Sequence, residues 1–584
     1  KLSVVSYLSA LVVSVLLLNQ SDRTYFSDNA LLPGLVQREF TLKEMAEQTL
    51  NSLNKLSEEI PENTVPYEWL SSQFKQIGLE VYSHNFTFNY PFASKPQYSG
   101  KNIYAILRSG RTGSTEALVL SSPYRTKLSP HSSTLPGIAL MISLAKYFSR
   151  QTYWAKDIIF LISEYELIGM QSWLNAYHNI DTTPVLNHGI LESRSGAIQA
   201  AINLEIHSQI SSHLDIKIEG LNGQLPNLDL FNVAVELCTR ESVSATFHGR
   251  SQPIETNDFD LWKEYATTTA SMMISQGIAL PTGAHGLFQR FAIQAITLEA
   301  SEVDNKKDSY MRTSLLQMGR VVEGIFRSLN NLLERFNRSY YFYLLSSTRR
   351  YISIGYYMIP FGLLAAPLVL NALYLYLKTA EETPNRTENL WNSMPVSFVC
   401  HALGLLTLLV PLFVEKYPNL VPNYETHEVI YYTLLSVSII YIMNPLMRAN
   451  QLNRNSRKCV ALLNTALLMA CISLVNISLA LSLTLVYVPI ACITALSSRI
   501  AFKSINSVLL LLAHPLSISY LCLLSMSLFY NSEFAFNKHL LRAFEAQKKC
   551  ILFYIEDWYI YGNWMYPIGC SFLLPVWLQL WYIL

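Results

Sequence analysis

The sequence changes character near residue 350, and that division limits the folds open to it. Beyond it, seven apolar runs follow one another, at roughly 351–377, 394–414, 429–447, 459–478, 481–498, 506–530 and 565–584. Each approaches the ~20 residues that a helix needs to cross hydrocarbon. An eighth, VVSYLSALVVSVLLL, lies within residues 1–18, close behind Lys1. No small-residue cleavage site precedes SDRTYF, so the run reads as an uncleaved signal-anchor whose natural start has been trimmed. A composition of 51% hydrophobic against 15% charged residues is too apolar for a wholly water-soluble chain. The expected organisation is a first span at 1–18, a polar domain at 19–350 and a helical membrane domain at 351–584 with a loop at 531–564, about eight spans in all.

Loop charges give the expected orientation. The stretch MRANQLNRNSRK carries Arg448, Arg454, Arg457 and Lys458, and Arg499 and Lys503 follow the next pair of runs. Positive loops stay cytosolic, so eight spans place 19–350 in the lumen together with EKYPNLVPNYETHE and the 531–564 loop, which looks amphipathic. Arg349 and Arg350 run against this rule. A lumenal domain would expose the sequon at Asn85 as a glycosylation site, whereas that at Asn19 is too near the bilayer. The spans almost lack Asp, Glu, Lys and Arg, unlike those of transporters, which keep charges to handle ions or substrate. Net charge near +1 without a basic arm excludes nucleic acid as a partner. Cys238 is the single cysteine of the large polar part, so no disulfide framework or zinc ribbon holds it.

Within the polar part, ALVLSS, DIIFLIS, AIQAAINLE, LDIKIEG and FAIQAITLE have strand-like lengths and β-branched content. Between them, GIALMISLAKYF, ELIGMQSWLNAYH and NLDLFNVAVELC repeat apolar residues at helical spacing. Alternation of this kind predicts an α/β domain, a three-layer sandwich around a mostly parallel sheet. Residues 310–345 read as a long helix running into the second span. Ligands of such sheets bind beyond the carboxyl ends of the strands, where Glu164, Glu166, Glu205 and the Ser121–Arg125 stretch fall, with His285 before the last strand. Carboxylates and a histidine gathered there suit a divalent cation; each acid equally suits a helix cap or a lysine partner.

The segments RTYFSDNALLPG, TYWAKDIIFLISE, GAIQAAINLE, EGLNGQLPNLDLFN, HGLFQRF and EGIFRSLNNLLERFNRSYYFYL resemble the anchor-attachment subunit family of glycosylphosphatidylinositol (GPI) transamidase. The likeness runs over the whole chain. It implies a multi-pass protein of the endoplasmic reticulum membrane, and a lumenal domain similar to M28 zinc aminopeptidases. The complex exchanges the C-terminal signal of a proprotein for a preassembled glycolipid, and a separate cysteine protease subunit does the cleavage. Other transamidase subunits, the GPI glycolipid, the proprotein and membrane lipid are the implied partners.

The peptidase pattern is incomplete here. Where M28 enzymes carry His-x-Asp this chain has Pro123-Tyr124-Arg125, and HSSTLPG supplies no bridging acid near Ser133. Glu164 and Glu166 match the Glu pair, Glu205 the later Asp, and His285 the last His. Loss of the bridge removes the binuclear zinc site that such chemistry needs. That leaves room for one divalent cation on Glu205, Glu164 and His285, with His131 as a substitute ligand. The implied role is a non-catalytic subunit that binds and positions the glycolipid. The alternative is a divergent metal-assisted aminopeptidase or amide synthase. Tyr25 and Ser27 after the first span, Arg338 and Ser339 before the second, and Glu205 are the candidate glycolipid contacts, offering hydroxyls, a guanidinium and a carboxylate. Aromatic and arginine anchors at the bilayer edge share that appearance. In GLNGQLPNLDL, Asn222, Gln224 and Asn227 suit a sugar, a partner subunit or a turn that serves only the fold.

Overall fold

In the computed structural model the described residues are 2–90, 92, 97–111, 113–252, 257–301, 312–332, 336, 341–382, 391, 393–417, 425–444, 454–494, 500–530 and 536–584. An apolar helix α1 (Leu2–Leu17) precedes the α/β domain, which begins with α2 (Lys43–Glu59) and α3 (Tyr67–Ile77). Strands β1 (Glu80–Phe88), β2 (Tyr98–Leu107) and β3 (Glu116–Pro123) follow, then α4 (Leu135–Ser149), β4 (Asp157–Ser163) and α5 (Leu167–Tyr177). Next come β5 (Leu186–Asn187), β6 (Ala197–Ile206), β7 (Leu214–Lys217), α6 (Leu228–Arg240) and β8 (Ala245–Thr246). The domain continues with α7 (Asp258–Ile278), α8 (His285–Gln289), β9 (Gln294–Ala300) and α9 (Leu315–Asn330).

Nine strands form one sheet in the order β8-β7-β9-β6-β3-β4-β2-β1-β5. The centre, β9-β6-β3-β4, is parallel, with Glu299 in register with Glu205 and Leu120 with Phe160. Antiparallel pairing joins β2 to β4 and β7 to β9, so the parallel core has antiparallel wings. Strand β4, DIIFLIS, is buried throughout, as a run covered on both faces must be. Side chains alternate between two clusters. Ile158, Phe160 and Ile162 pack with α2, α3, α4, α6 and α9, while Ile159 and Leu161 pack with Met170, Trp173, Leu287 and Phe288 of α5 and α8. Helices on both faces complete the three layers.

The expected helix over 310–345 ends at Asn330. Strands β10 (Tyr343–Ser347) and β11 (Arg350–Ser353) stand in its place, and the hairpin leads into α10 (Ile354–Glu382). Of the letters FYLL that extend the helical pattern, Tyr343, Leu344 and Leu345 are buried in β10, which packs against α7, while Phe342 before it is exposed; the Leu345 N–H donates to the Met272 thioether. Residues Asp22 and Arg23, just beyond α1, pair with Tyr351 and Arg350, so the chain leaving the first helix meets the chain entering α10. The two helices also lie together, the Ser6 hydroxyl donating to the Leu363 carbonyl at 2.8 Å.

Further helices are α11 (Met394–Leu408), α12 (Thr426–Met443), α13 (Arg454–Val475), α14 (Ile477–Ile493), α15 (Ile500–Leu512), α16 (Pro515–Tyr530) and α17 (Phe536–Tyr561), with the short Val410–Lys416 after α11 and Met565–Ile568 and Leu574–Trp581 near the end. Among the described residues five helices are long and apolar enough to cross a membrane: Leu2–Gln20, Ile354–Thr379, Met394–Lys416, Thr426–Met443 and Arg454–Val475. The pair Lys503–Leu512 and Pro515–Phe529, bent by 65°, makes a sixth only when counted as one broken span rather than a re-entrant loop. Two of the eight expected spans fall short of that length. Helix α14 has 17 residues with Pro489 inside it, and the last segment is interrupted by a π-turn at Gly569–Leu573. Within the expected 531–564 loop, Phe536–Tyr561 form α17. Its Lys548 pairs with Glu428 of α12 at 3.0 Å, and the Gln547 amide donates to the Leu516 carbonyl of α16 at 2.6 Å.

Candidate functional site

The acidic turn after β4 separates its two carboxylates. Glu164 accepts the Tyr67 hydroxyl and the Lys101 N–H, both at 2.6 Å, and burial raises its pKa despite them. Tyr165 and Glu166 follow with φ of 54° and 49°, a left-handed turn that reverses the chain into α5. Gly169 packs on this turn: a Cβ there would lie 2.0 Å from the Glu164 carbonyl oxygen. Glu166 points elsewhere, accepting from Ser129 at 3.0 Å and lying 3.3 Å from the Arg125 guanidinium.

Arg125 reaches the second acid as well, 3.1 Å from Glu205 at the end of β6, where both side chains are under a tenth exposed. Glu205 also accepts from Asn203 at 3.1 Å. Beside it in register, Glu299 of β9 lies 2.9 Å from Lys217 and 3.5 Å from His207. Burial pushes the Glu299 carboxyl up, but His207 and Lys217 outweigh it and bring it down to about 2. Among the described residues, the group that brings ligand atoms within 4.8 Å of one another is Glu205, His207 and Glu299.

The metal set expected from the sequence is therefore not assembled. Glu164 is turned to Tyr67, and His285 is wholly buried with Nδ1 2.9 Å from the Thr297 hydroxyl, which Asn203 separates from Glu205. Burial lowers the His285 pKa to about 4. His131 is exposed, its N–H on the Ser129 hydroxyl at 3.3 Å. The donor set at the strand ends does not fit a catalytic metal either. The Arg125 guanidinium and the Lys217 ammonium, 4.0 Å from Glu205 and 2.9 Å from Glu299, already stand among the carboxylates as counter-charges. A divalent ion there would meet two fixed cations at close range.

Of the candidate glycolipid contacts, Tyr25 is half exposed with its carbonyl held by Asn232, and the Ser27 N–H donates to Asp229 of α6 at 3.0 Å. Arg338 and Ser339 lie outside the described residues. Asn85 stands on β1 with its side chain exposed.

The GLNGQLPNLDL block is where the α/β domain meets the membrane helices. Asn222 adopts φ 61°, accepts the Trp564 N–H at 2.7 Å and donates to the Gly562 carbonyl at 3.2 Å. From the break between α13 and α14, Asn476 donates to the Gln276 carbonyl at 2.7 Å, and the Ser478 hydroxyl donates to the Gln276 amide oxygen at 2.5 Å. These buried polar groups satisfy one another across the junction, as buried amides must. Asn227 caps α6 by accepting from Asp229 N–H at 2.9 Å. A cavity of about 580 Å³ adjoins this latch, lined by the glutamines Gln199, Gln224, Gln276, Gln289 and Gln294. Tyr341 and Tyr357 complete it from the second-helix side, and Leu474 and Trp564 from the membrane helices. The buried Oε1 of Gln289 has no hydrogen-bond partner.

Residues 99–581 match a family model described as Gaa1-like, GPI transamidase component. The chain belongs to this family. It is 32% identical over 365 residues to the GPI transamidase component gaa1 of Schizosaccharomyces pombe, covering 60% of this chain and 59% of that one. With the component GAA1 of Saccharomyces cerevisiae it shares 30% over 394 residues, 65% of this chain and 58% of that one. The chain thus spans under two thirds of the length of these relatives. Among solved structures it is similar to a glutaminyl cyclase of Fimbriiglobus ruber, at 13% identity and a TM-score of 0.33, covering 53% of this chain and 98% of that one. It is similar to the Legionella pneumophila LapA aminopeptidase at 11% identity and a TM-score of 0.32, covering 53% and 76%.

In this Gaa1-like chain three residues of the charged cluster escaped the sequence reading: His207, Lys217 and Glu299. A signal existed for two of them. His207 follows Glu205 by two residues, which puts both on one face of a strand, and INLE and ITLE are near-repeats at the ends of β6 and β9. Apart from Gln224 in GLNGQLPNLDL, the glutamines are scattered from 199 to 294 and carry no local pattern.

Proposed function

We propose that this chain is a non-catalytic component of a GPI transamidase complex that binds the GPI glycolipid and positions it for amide-bond formation with a proprotein. Family membership supports the complex. The glutamine-lined cavity between the α/β domain and the membrane helices carries the positioning role. Primary amides both donate and accept, which suits sugar hydroxyls. The neighbouring apolar helix surfaces at Leu474 and Val475 suit acyl chains. Holding the glycolipid amine near an acyl-enzyme formed on a separate cysteine protease subunit supplies rate by orientation alone. Tyr25 and Ser27, with Arg338 and Ser339, are proposed as further contacts. In this reading the complex sits in the endoplasmic reticulum membrane with the α/β domain lumenal. The carboxylates, neutralised by Arg125 and Lys217, play no part in the chemistry.

The test is binding of a photoreactive GPI analogue to the purified complex. Gln224→Leu and the cavity-filling Leu474→Trp should each weaken labelling by roughly tenfold, the effect of losing one buried hydrogen bond of ~1–3 kcal/mol or of blocking the space. Unchanged labelling in both removes the cavity from the account. The second reading, a metal-assisted amide synthase, draws on the Glu205, His207 and Glu299 grouping. A stoichiometric divalent ion lost with Glu299→Gln would favour it.

A further inference from the structure

Helix α7 has 21 residues, a length of about 31 Å, and is tied near both ends to membrane helices. Toward its start the Trp262 indole N–H donates to the Val15 carbonyl of α1 at 3.3 Å. Val15 stands five residues before the end of the apolar run Leu2–Gln20, so the indole reaches about 7 Å along that run from the domain side. Toward the other end of α7 the Gln276 carbonyl accepts from Asn476, the residue that follows the apolar run Arg454–Val475. The α/β domain receives the chain from the first of these runs and packs on the turn that ends the second. Helix α7 therefore lies across the ends of two candidate spans, along the face of the membrane.

At about 100° per residue, its sequence divides the helix surface into three faces. Tyr265, Thr268, Thr269, Met272 and Gln276 are buried and face the domain. There the Thr269 hydroxyl donates to the Leu345 carbonyl of β10 at 3.4 Å. Asp260, Glu264, Thr267 and Ser271 form a polar face. Between these two runs an apolar strip at intervals of three and four residues: Phe259, Trp262, Ala266, Ala270, Ile274 and Ile278. Phe259 and Ile274 are 71% and 63% exposed. Lys263 is the one charge within the arc of the strip, and a lysine stem covers apolar surface while its ammonium reaches water.

Water is a poor solvent for such a strip, and its shape limits what covers it. Phe259 and Ile274 are fifteen residues apart, about 22 Å along the axis. A small apolar ligand fills a concave pocket rather than a straight strip of that length. Tryptophan favours the bilayer interface, where its ring sits at headgroup level. The ties to Val15 and Asn476 hold the strip at the height where both runs leave the hydrocarbon. We propose that the apolar strip of α7 is a membrane-surface anchor lying in the interfacial layer of the bilayer, with Asp260 and Glu264 turned to water. A polar face led by acids offers no attraction to anionic lipid, so a zwitterionic phospholipid suffices. Gln276 of α7 also lines the glutamine cavity. The bilayer thereby sets the height of that cavity, whatever ligand the cavity takes.

Photocrosslinking in the transamidase complex, reconstituted into phosphatidylcholine nanodiscs, tests the proposal. A benzophenone amino acid replaces Phe259, Ala270 or Ile274 on the strip, and Asp260 or Glu264 on the polar face. All five side chains are exposed, so the replacements leave the packing of the helix in place. The expected result is a phospholipid adduct, read by mass spectrometry, at each strip position and its loss at both polar positions. Strip positions that crosslink to another protein chain instead of lipid overturn the proposal and assign the strip to a partner subunit. Lipid adducts in equal yield on both faces, or none on the strip, overturn it as well. The three strip positions report independently, so a variant that fails to assemble leaves the other two to decide.

Discussion

Replacing Arg125 by methionine removes the guanidinium and keeps most of the volume of its stem. The structure sets the size of the effect. Arg125 and Glu205 lie 3.1 Å apart with side chains 8% and 7% exposed, so Glu205 would be left buried without its main counter-charge. Breaking such a pair from one side costs about 3–5 kcal/mol. Two features set the lower end of that range. Lys217, 4.0 Å from Glu205, still supplies part of the opposite charge. Glu166 is 27% exposed, so its share of Arg125 is worth at most about 1 kcal/mol. A loss of about 3 kcal/mol corresponds to a fall of roughly 4–5 °C in the melting temperature of a domain of this size. Differential scanning fluorimetry of the purified full chain reads it directly. The double variant Arg125→Met with Glu205→Gln leaves no stranded charge and should recover more than half of the loss. A single variant that melts within about 2 °C of the parent, or a double that is worse than the single, refutes the idea that Arg125 holds this carboxylate.

Other outcomes follow from the same geometry. Chelation with EDTA should leave the melting temperature of the unaltered chain in place, because Arg125 and Lys217 already neutralise the carboxylates; a fall of several degrees would show a bound ion. Asn476→Ala removes the cap on Leu479 N–H at 3.0 Å and the bond to the Gln276 carbonyl. It should cost about 2–4 kcal/mol and speed amide hydrogen exchange at Asn222–Gln224; unchanged exchange would show that the latch is dispensable. The buried Glu219 and the half-buried His248 lie 2.6 Å apart. Burial disfavours both charges, yet the contact lowers the Glu219 pKa and raises that of His248. The His248 part of this stability is therefore full below the ordinary histidine value of about 6.5 and is lost as pH rises through its raised folded value. The Glu219 part is lost as pH falls below the ordinary carboxylate value of about 4.3. Melting followed from pH 5 to 9 should fall more steeply for the parent than for His248→Gln, and parallel curves would contradict the pairing.

The parallel core was legible because its strands are covered on both faces, so β4 and β6 read as unbroken apolar runs between turns. Strands β1 and β2 carried a weaker signal. EVYSHNFTF mixes polar and apolar residues beside the short edge strand β5, and its polar letters conceal a strand. The hairpin at Tyr343–Ser353 was misread because FYLL continues a helical pattern and only its packing against α7 makes it extended. At the site, the sequence identified the acids but not what neutralises them. Arg125 stood out as a missing ligand, whereas its role depends on β3, β4 and β6 bringing it between Glu166 and Glu205. Lys217 comes from an antiparallel strand whose place beside β9 no local spacing reveals. GLNGQLPNLDL reads as an exposed turn before a helix, yet Asn222 and Asn227 are buried, because the partners that cover Asn222 lie hundreds of residues away at Asn476 and Trp564.

The central claim is that the chain positions a glycolipid and does no chemistry with its carboxylates. It is tested most directly by the transamidation rate of the reconstituted complex at saturating glycolipid with Glu205→Gln and Glu299→Gln combined. The account predicts a rate within about twofold of the parent, since neither group contributes transition-state stabilisation. A fall of about a hundredfold or more in an intact complex, the scale of a lost catalytic acid or base, would contradict it and make the cluster an active site.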